Sequence, residues 1–467
     1  MTDRPFRRLS PLTPLVRGFI VVVAAGTTVL RDVTRGDLGP AAVLLGMLLV
    51  GGGLFGIASW YRTKFWIEAD ELRVDTGVIS RQSRRIRIDR LQGIDIVQPF
   101  VARLFGLAEL RMDVAGGHAR EGSLAFLPLG EARDLKDLLL AHRDEVRART
   151  APPEARLAAE GQAPTAEGAT PTPQSAPVAA VPAPPVPERV LARVDLGTLM
   201  LSTLLSVETI VLVVLGTGLL AVFVASGEWL GASAVAPLLA GLGVVLFKRV
   251  AGNYGFTVSE TPAGLQVRRG LFDLTAQTIT VARIQGLVVT EPLLWRWLGW
   301  SRLDVSIAGY GDSSEDEGPA PSTVLPVGQR AAVAFLARHV LAGDEVAQAT
   351  LHPAPREARW VAPVGWRYMA AGATDRLVVS REGWLTRRTH AAPHARVQSV
   401  RVTQGPWQRR LGLADLHLDS PPGPTRVRAR NRVAAETREW FEVEVRVSRE
   451  ARRHLGRPAS PSAPPSP

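Results

Sequence analysis

Two stretches of the sequence repeat one another and decide the fold. They are RIDRLQGIDIVQPFVARLFGLAELRMDVAGG, residues 87–117, and TVARIQGLVVTEPLLWRWLGWSRLDVSIAGY, residues 280–310, which align without gaps at an offset of 193 positions. A third copy, ARVQSVRVTQGPWQRRLGLADLHLDS, begins at Ala395 and lies 113 positions beyond the second. Repetition within a chain indicates one structural unit used several times. We therefore expect three modules with the same fold.

Each copy is predicted to contain β-strands followed by a compact turn. Residues 86–92 alternate apolar and polar side chains, as a half-buried strand does. In the first copy Pro99 opens about two helical turns and Gly106 closes them, because Pro suits the first turn and Gly the left-handed position after the last. Pro292 and Gly299 hold the same places in the second copy, and Gly405-Pro406 and Gly412 hold them in the third.

An amphipathic helix is predicted at the end of each module, over residues 129–147, 329–341 and 434–454. In the third copy the alternation across residues 442–447 also fits a strand, so that helix has a competing prediction. Small strands that close into a barrel or sandwich, with one helix over an open end, are the simplest architecture for such a unit.

Apolar runs predict four membrane-spanning helices in two hairpins. The first pair covers residues 15–30 and 38–60, and the second covers 199–225 and 229–247. About 20 apolar residues cross a bilayer. The first run alone also fits a signal peptide, but the second run directly after it favours a hairpin. Basic residues flank both hairpins on one side, which predicts a multi-pass protein of the plasma membrane with both termini in the cytoplasm.

The sequence therefore predicts an α+β membrane protein in which four transmembrane helices carry three β-modules. The predicted domains are a first hairpin (1–61), module 1 (62–149), a disordered Pro/Ala linker (150–188), a second hairpin (189–249), module 2 (250–345), module 3 (346–457) and a disordered tail (458–467). The linker and the tail have too few large apolar residues to offset the entropy lost on ordering.

This arrangement of hairpins, repeated Arg-x-Gln, Pro and Gly positions, and a third module without spans resembles the bacterial pleckstrin-homology-like membrane proteins of the YdbS/YdbT type, in particular the three-module YdbT form. The resemblance implies that each module is a seven-stranded, strongly bent antiparallel barrel capped by a C-terminal helix. It attaches no enzymatic activity, and it implies a setting in envelope stress or defence against membrane-active peptides.

Composition excludes several kinds of chemistry. The chain of 467 residues has a net charge of +11 and no Cys, which removes disulfides, thiolate nucleophiles and Cys-ligated metals. The eight His are scattered without metal-ligand spacing, and the acidic run at residues 312–317 fits a solvated loop better than a calcium loop. We predict no enzyme, cofactor or metal.

Residues from 351 onward contain 21 Arg against 10 Asp and Glu, and this positive charge suits an anionic bilayer. No nucleic-acid motif accompanies these residues.

The aromatic and basic side chains of the Pro-to-Gly turns are candidate contacts with the membrane or a partner, since Trp suits the headgroup level and Arg suits lipid phosphate. They are Phe100, Arg103, Trp295, Arg296, Trp297, Trp300, Trp407, Arg409 and Arg410. The competing interpretation is that the aromatic rings pack the end of the module and the arginines are merely exposed.

Two further features have competing interpretations. Glu208 is either an intramembrane acid with a role in proton or partner binding, or a residue at the headgroup level if the apolar helix starts near Leu205. The Arg-x-Gln pair recurs in all three copies as Arg90/Gln92, Arg283/Gln285 and Arg396/Gln398. A folding role, in which Gln serves the backbone of the adjacent turn, is favoured over ligand binding.

The leading hypothesis is a membrane protein that presents three cytoplasmic modules as a scaffold for the anionic bilayer surface or for a protein partner. The alternative is an accessory subunit of a membrane transporter or exporter, with the hairpins docked on a permease. Glu208 separates the two hypotheses, because only transport should depend on its charge.

Overall fold

The computed structural model of the protein forms two compact units. The first contains residues 1–188 and 273–277, and the second contains residues 189–272 and 278–467. The described residues are 7–8, 10, 47, 51, 57–58, 61–68, 70–76, 82–114, 123–150, 189–227, 229–261, 264–308, 323–341, 343–344, 346–421 and 423–455. Most of the predicted first hairpin, the linker after residue 150 and the predicted tail lie outside these residues.

The first unit contains the strands and helices of module 1. In chain order these are β1 (Arg7–Arg8), β2 (Lys64–Glu68), β3 (Glu71–Thr76), β4 (Gln82–Arg87), β5 (Leu91–Gln98), α1 (Phe100–Leu104), β6 (Leu107–Val114), β7 (Ser123–Pro128) and α2 (Leu129–Thr150). Strands β1 to β4 form one antiparallel sheet, and β5, β6 and β7 pair in a second. Residues Leu274–Ala276, which belong to this unit, pair with the other side of β5.

The chain then forms three helices and the strands of modules 2 and 3. Those before the second terminal helix are β8 (Arg189–Arg193), α3 (Leu196–Leu204), α4 (Val207–Ala225), α5 (Trp229–Gly252), β9 (Thr257–Thr261), β10 (Gly264–Arg269), β11 (Leu274–Ile279), β12 (Ile284–Pro292), α6 (Leu293–Leu298), β13 (Trp300–Ile307) and β14 (Thr323–Gln329). They are followed by α7 (Arg330–Val340), β15 (His352–Pro353), β16 (Ala370–Ala373), β17 (Leu377–Glu382), β18 (Thr386–Pro393), β19 (Ser399–Thr403), α8 (Pro406–Arg410), β20 (Leu413–Asp419), β21 (Val427–Val433) and α9 (Ala434–Leu455).

Among the described residues, each module has seven strands and ends in a helix when β1 and β8, which lie in the predicted hairpin segments, are counted with modules 1 and 2. The Pro-to-Gly turns form as predicted, as α1, α6 and α8, and each closes on a glycine with positive φ: Gly106 at 68°, Gly299 at 70° and Gly412 at 67°. Glycine adopts this region without the steric cost of a Cβ atom. The third terminal helix is α-helical throughout, so the competing strand prediction for residues 442–447 is wrong.

Modules 1 and 3 each have an apolar core of their own, whereas the core of module 2 also contains Leu377, Val379 and Ala391 of module 3. In module 1 the core contains Leu72 from the four-stranded sheet, Leu110 from the three-stranded sheet and Leu139 from α2, all fully buried. Module 3 repeats this with Val378, Leu416 and the half-buried Trp440 of α9. The terminal helix therefore covers the space between two sheets, as the repeat pattern predicts.

The sheets of modules 2 and 3 are continuous, which the sequence did not predict. In the second unit a seven-stranded sheet has the order β14-β13-β12-β18-β17-β16-β15, so the last three strands of module 2 join the first four of module 3. Strand β12 pairs with β18 from Leu287↔Ala391 to Pro292↔Thr386. These strands therefore form one sheet that modules 2 and 3 share, and not a barrel that closes within each module. Backbone hydrogen bonds between β12 and β18 hold the two modules together.

Among the described residues, one helix is long and apolar enough to cross a bilayer, namely α4. Its 19 residues span about 28 Å, against a hydrocarbon core of about 30 Å. Many of its apolar side chains are exposed, and those of Val214, Leu215 and Val222 are more than 60% exposed. A Cβ atom at Gly216 would lie 2.8 Å from Leu239 Cδ2, so α4 and α5 pack closely there. Of the four predicted spans, the described residues support this one.

The predicted third span begins too early. The run from residue 199 to 225 was expected to be one helix, but the chain breaks at Leu205 and Ser206 between α3 and α4. Ser206 is buried and its Oγ accepts a hydrogen bond from the Thr209 amide at 3.4 Å, which caps α4. The break could not be predicted from the sequence, because the run is apolar throughout and its only sign is the hydroxyl of Ser206.

Candidate functional site

A cavity of about 530 Å³ lies within the second unit, where the ends of α4 and α5 meet modules 2 and 3. Glu208 in the first turn of α4 and Arg249 in the last turn of α5 line one side. If α4 crosses the bilayer, both residues lie at the level where the span ends. In that case the cavity would lie at the membrane boundary.

Arginine dominates the polar lining of this cavity, which we call the arginine cavity. Its basic residues are Arg249, Arg302, Arg388, Arg426 and Arg428, and its acidic residues are Glu208, Asp304 and Glu382. One pair is satisfied internally, since Arg302 Nε lies 2.9 Å from Asp304 Oδ2. In the described part of the chain the other four guanidinium groups make no ion pair. A surplus of unpaired arginine in a concave site is typical of sites that bind phosphate or carboxylate.

Backbone hydrogen bonds fix the strand that carries two of these arginines. The Arg426 amide donates to His390 Nδ1 at 3.1 Å, and the Arg428 amide donates to Ser380 Oγ at 3.1 Å. The preceding Thr425 amide donates to Ser306 Oγ at 2.9 Å. In β21 the side chains of Val427 and Ala429 are buried, so Arg428 between them is exposed, and Arg426 lies directly before the strand.

His390 adds a neutral donor to the arginine cavity. It is 4% exposed, and burial together with the positive charges of Arg388, Arg428 and Arg426 outweighs Glu382 and lowers its pKa to about 4. Because Nδ1 accepts the Arg426 amide proton, the proton of the neutral ring lies on Nε2. Nε2 is buried, lies 3.9 Å from Glu382 Oε1, and makes no hydrogen bond in the described part of the chain.

Glu208 lies in the first turn of α4, near the end of the span rather than in its middle. This placement matches the interpretation in which the helix starts near Leu205. The carboxylate lines the arginine cavity and its charge acts on Arg249. At a helix N-terminus a carboxylate is also stabilised by the helix dipole.

The aromatic side chains of the Pro-to-Gly turns divide into two groups. Trp295 and Trp300 are only 4% and 9% exposed and belong to the core of module 2, which favours the competing interpretation that these rings pack the end of the module. Trp295 Nε1 also donates to the Ser202 carbonyl of α3 at 3.0 Å. The rings left outside are Phe100, Trp297 and Trp407, which are 51%, 80% and 69% exposed.

The arginines of the turns differ in the same way. Arg296 donates to the Trp384 carbonyl at 2.7 Å, and burial and the charge of Arg387 lower its pKa. Arg410 lies over the Trp407 ring at 5.5 Å. Arg103 and Arg409 are exposed. The turns therefore do not form one common surface of Trp and Arg, because some of their aromatic rings are buried in the core and others are exposed.

The Arg-x-Gln pairs contact backbone groups. Arg283 donates to the Ala308 carbonyl at 2.6 Å, and Gln285 donates to the Arg283 carbonyl at 3.1 Å. Arg396 donates to the Ala282 carbonyl at 2.7 Å, which joins module 3 to module 2. These contacts serve folding, although Gln285 does not contact the Pro-to-Gly turn.

The glutamines that serve those turns lie six residues further along and were missed. Gln98 Nε2 donates to the Leu107 carbonyl at 3.3 Å, and Gln404 Nε2 donates to the Leu413 carbonyl at 2.8 Å. The repeat alignment places these two glutamines at the same position, which is the signal that could have found them. In module 2 this position is Glu291, which lies 2.8 Å from Arg330 and 3.5 Å from Arg387.

The arginine cavity can hold an anion but shows no arrangement for metal chemistry. Within the part of the chain that the structure describes, no group of three His, Asp or Glu could hold a metal ion. Guanidinium groups and a neutral imidazole N–H bind phosphate oxygens through directed hydrogen bonds.

The seven-strand modules with terminal helices, repeated three times beside an apolar helix, define a class of protein. The chain belongs to the bacterial PH domain family, whose sequence profile matches residues 19–143, 197–344 and 351–444, more than half of the chain. It is also similar to the UPF0699 transmembrane protein YdbT of Bacillus subtilis (strain 168), at 24% identity over 294 residues. That similarity covers 59% of this chain and 56% of the relative, so the chain spans about half the length of the relative it matches. No solved structure matches the chain. The resemblance predicted from the repeats is confirmed.

Proposed function

We propose that the protein is a multi-pass scaffold of the plasma membrane with cytoplasmic termini. Its arginine cavity would bind the phosphate group of an anionic lipid beside the N-terminal end of α4. The observation that carries the proposal is a set of four guanidinium groups that make no ion pair within the described residues and line one cavity beside α4, the candidate membrane span. The similarity to a transmembrane protein supports the setting. The modules would then be held in a fixed position against the inner leaflet.

Charge and donor geometry favour phosphate over other ligands. The cavity lining has five arginines against three carboxylates. Two of these carboxylates are already paired, Asp304 with Arg302 and Glu382 with Arg430 at 3.5 Å. Each basic residue close to an anionic membrane surface contributes about 1 kcal/mol to binding. Inorganic phosphate has the same chemistry, so the lipid and the free ion are separate arms of the test.

The test uses the full chain in neutral detergent, titrated with phosphatidylglycerol, phosphatidylcholine or inorganic phosphate and followed by native mass spectrometry. We expect phosphatidylglycerol to bind in preference to the other two. Loss of two arginines at about 1 kcal/mol each should weaken that binding about 30-fold in the R426Q/R428Q variant. The control R438Q/R449Q removes the same charge from the exposed side of α9 and should leave binding unchanged.

Two results would reject this function. Equal binding of phosphatidylglycerol by R426Q/R428Q and by the unaltered chain removes the cavity from the proposal. Tight binding of phosphate with no preference for the lipid makes the ligand a soluble anion. The alternative function, an accessory subunit of a transporter or exporter, is favoured by the Glu208 carboxylate in the cavity. It requires that E208Q abolish transport, whereas the scaffold proposal expects this variant to bind anionic lipid at least as well.

A further inference from the structure

Strand β19 pairs with β20 on one side, and we call its other side the outer edge. In the two earlier modules a strand occupies the corresponding edge. In module 2 the equivalent strand, β12, pairs on that side with β18. In the first unit the equivalent strand, β5, pairs on that side with Leu274–Ala276. The repeat offsets map these pairs onto each other in the same register, since Gln98↔Leu274 becomes Glu291↔Arg387. Strand β19 pairs with β20, and no described residue pairs with its other side.

Exposure distinguishes β19 from its counterpart in module 2. Val288 of β12 is 4% exposed because β18 lies beside it, whereas the matching residue of β19 is Arg401, with 58% of its side chain exposed. The next residue, Val402, is 37% exposed, and its counterpart Val289 is half-buried. An unpaired strand of this kind presents backbone donors and acceptors to another chain.

A second copy of the protein is a poor occupant of this edge. The strand of module 1 that matches β18 is β4, which lies at the end of its own sheet. In the register of the β12–β18 ladder, Arg84 of that strand would lie opposite Arg401, and Arg85 opposite Val400. Like charges directly opposite in an antiparallel pair are destabilising. The arginines therefore disfavour head-to-tail assembly through these two edges.

We propose that the outer edge of β19 receives an extended acidic segment of a partner protein as an added antiparallel strand. The partner's backbone would continue the β20–β19 ladder, and a carboxylate at the position opposite Arg401 would supply the complementary charge. Arg401 now lies 3.6 Å from Asp419, a contact between two exposed side chains that contributes little. The exposed Arg409 and Arg410 of α8 follow β19 in the chain and add positive charge to module 3.

This inference goes beyond the lipid-binding function, because it uses none of the residues of the arginine cavity. The probe is a peptide with the sequence of residues 385–393, the segment that fills the corresponding edge of module 2, carrying R387E, R388E and H390E. The position of His390 in that segment lies opposite the counterpart of Arg401. The matched control peptide keeps the natural sequence of residues 385–393.

The peptides are titrated onto the full chain in neutral detergent, with hydrogen exchange as the structural readout. We expect the acidic peptide to bind at least about tenfold more tightly than the control and to protect the amides of residues 399–403. R401E should reverse the preference between the two peptides. R438E changes the same charge on α9 and should leave the preference unchanged, and R426Q/R428Q should also leave it unchanged.

Three outcomes would overturn the inference. They are failure of the acidic peptide to bind, binding without protection of residues 399–403, and an unchanged preference in R401E. The second outcome would mean that the peptide is held by general positive charge on module 3 rather than by strand pairing.

Discussion

At the residue scale, the contacts of one histidine show how module 3 holds its terminal helix. His394 is 3% exposed, its Nδ1 lies 2.8 Å from Glu444 Oε1, and its Nε2 lies 3.0 Å from the Thr374 carbonyl. Because the second partner can only accept, Nε2 must donate, and a proton on Nδ1 as well completes both bonds. Burial alone would lower the pKa of His394, but the hydrogen bond and charge of Glu444 outweigh it and raise the pKa above 6.5.

A pH dependence of stability follows from this raised pKa. The unfolded chain titrates near 6.5, so the contribution of the protonated pair is fully present below that pH and is lost as pH rises through the higher folded value. We expect the unfolding temperature of the full chain in detergent to fall over this range, and E444Q to remove that part of the fall. H352Q, which alters an exposed histidine of β15, should retain it. An identical pH profile for E444Q and the unaltered chain would contradict the assignment.

The residue scale also shows what composition could not separate. Trp295 and Trp297 are two positions apart in the same turn, yet one is 4% exposed and the other 80%. A short helix places such residues on different sides, and which side faces the core depends on the tertiary packing. The sequence therefore identified the aromatic turn but not which of its rings contact the core.

At the element scale, Trp295 joins the short helix α3 to module 2. Its indole donates to the Ser202 carbonyl, and both residues are buried. W295F removes that donor and leaves a buried carbonyl without its partner, which costs about 1–3 kcal/mol. W297F changes an exposed ring and should cost less than about 0.5 kcal/mol.

Scanning calorimetry of the two Trp variants in the same detergent measures this difference. If W295F and W297F unfold at the same temperature, then α3 is not held by this hydrogen bond. The comparison is matched, because both variants make the same chemical change in one turn.

Much of the element order could be predicted from the repeats. The Pro-to-Gly turns and all three terminal helices form where the alignment places them, since capping residues and amphipathic periodicity are local signals. The pairing of β12 with β18 could not be predicted, because it joins residues about a hundred positions apart and neither strand carries a local sign of its neighbour. The arginine cavity was missed for the same reason, since its residues come from α5, β13, β18 and β21.

At the scale of the whole molecule, modules 2 and 3 share one sheet and should not be separable without cost. Truncation after residue 345 would remove β18 and leave β12 as an open edge. We expect amides of residues 287–291 to lose hydrogen-exchange protection and the truncated chain to self-associate, as exposed edges do. Truncation after residue 455 removes no described element and is the control. Unchanged protection in the shorter chain would show that module 2 is complete by itself.

The shared sheet also has a consequence for synthesis on the ribosome. Strand β12 ends at Pro292, and its neighbour β18 begins at Thr386, so more than ninety further residues must be translated before the ladder can form. At roughly 5–20 residues per second, the nascent chain carries an unsatisfied strand for about 5–20 s. During that interval the growing polypeptide needs shielding, by a chaperone or by early membrane insertion of the preceding helix.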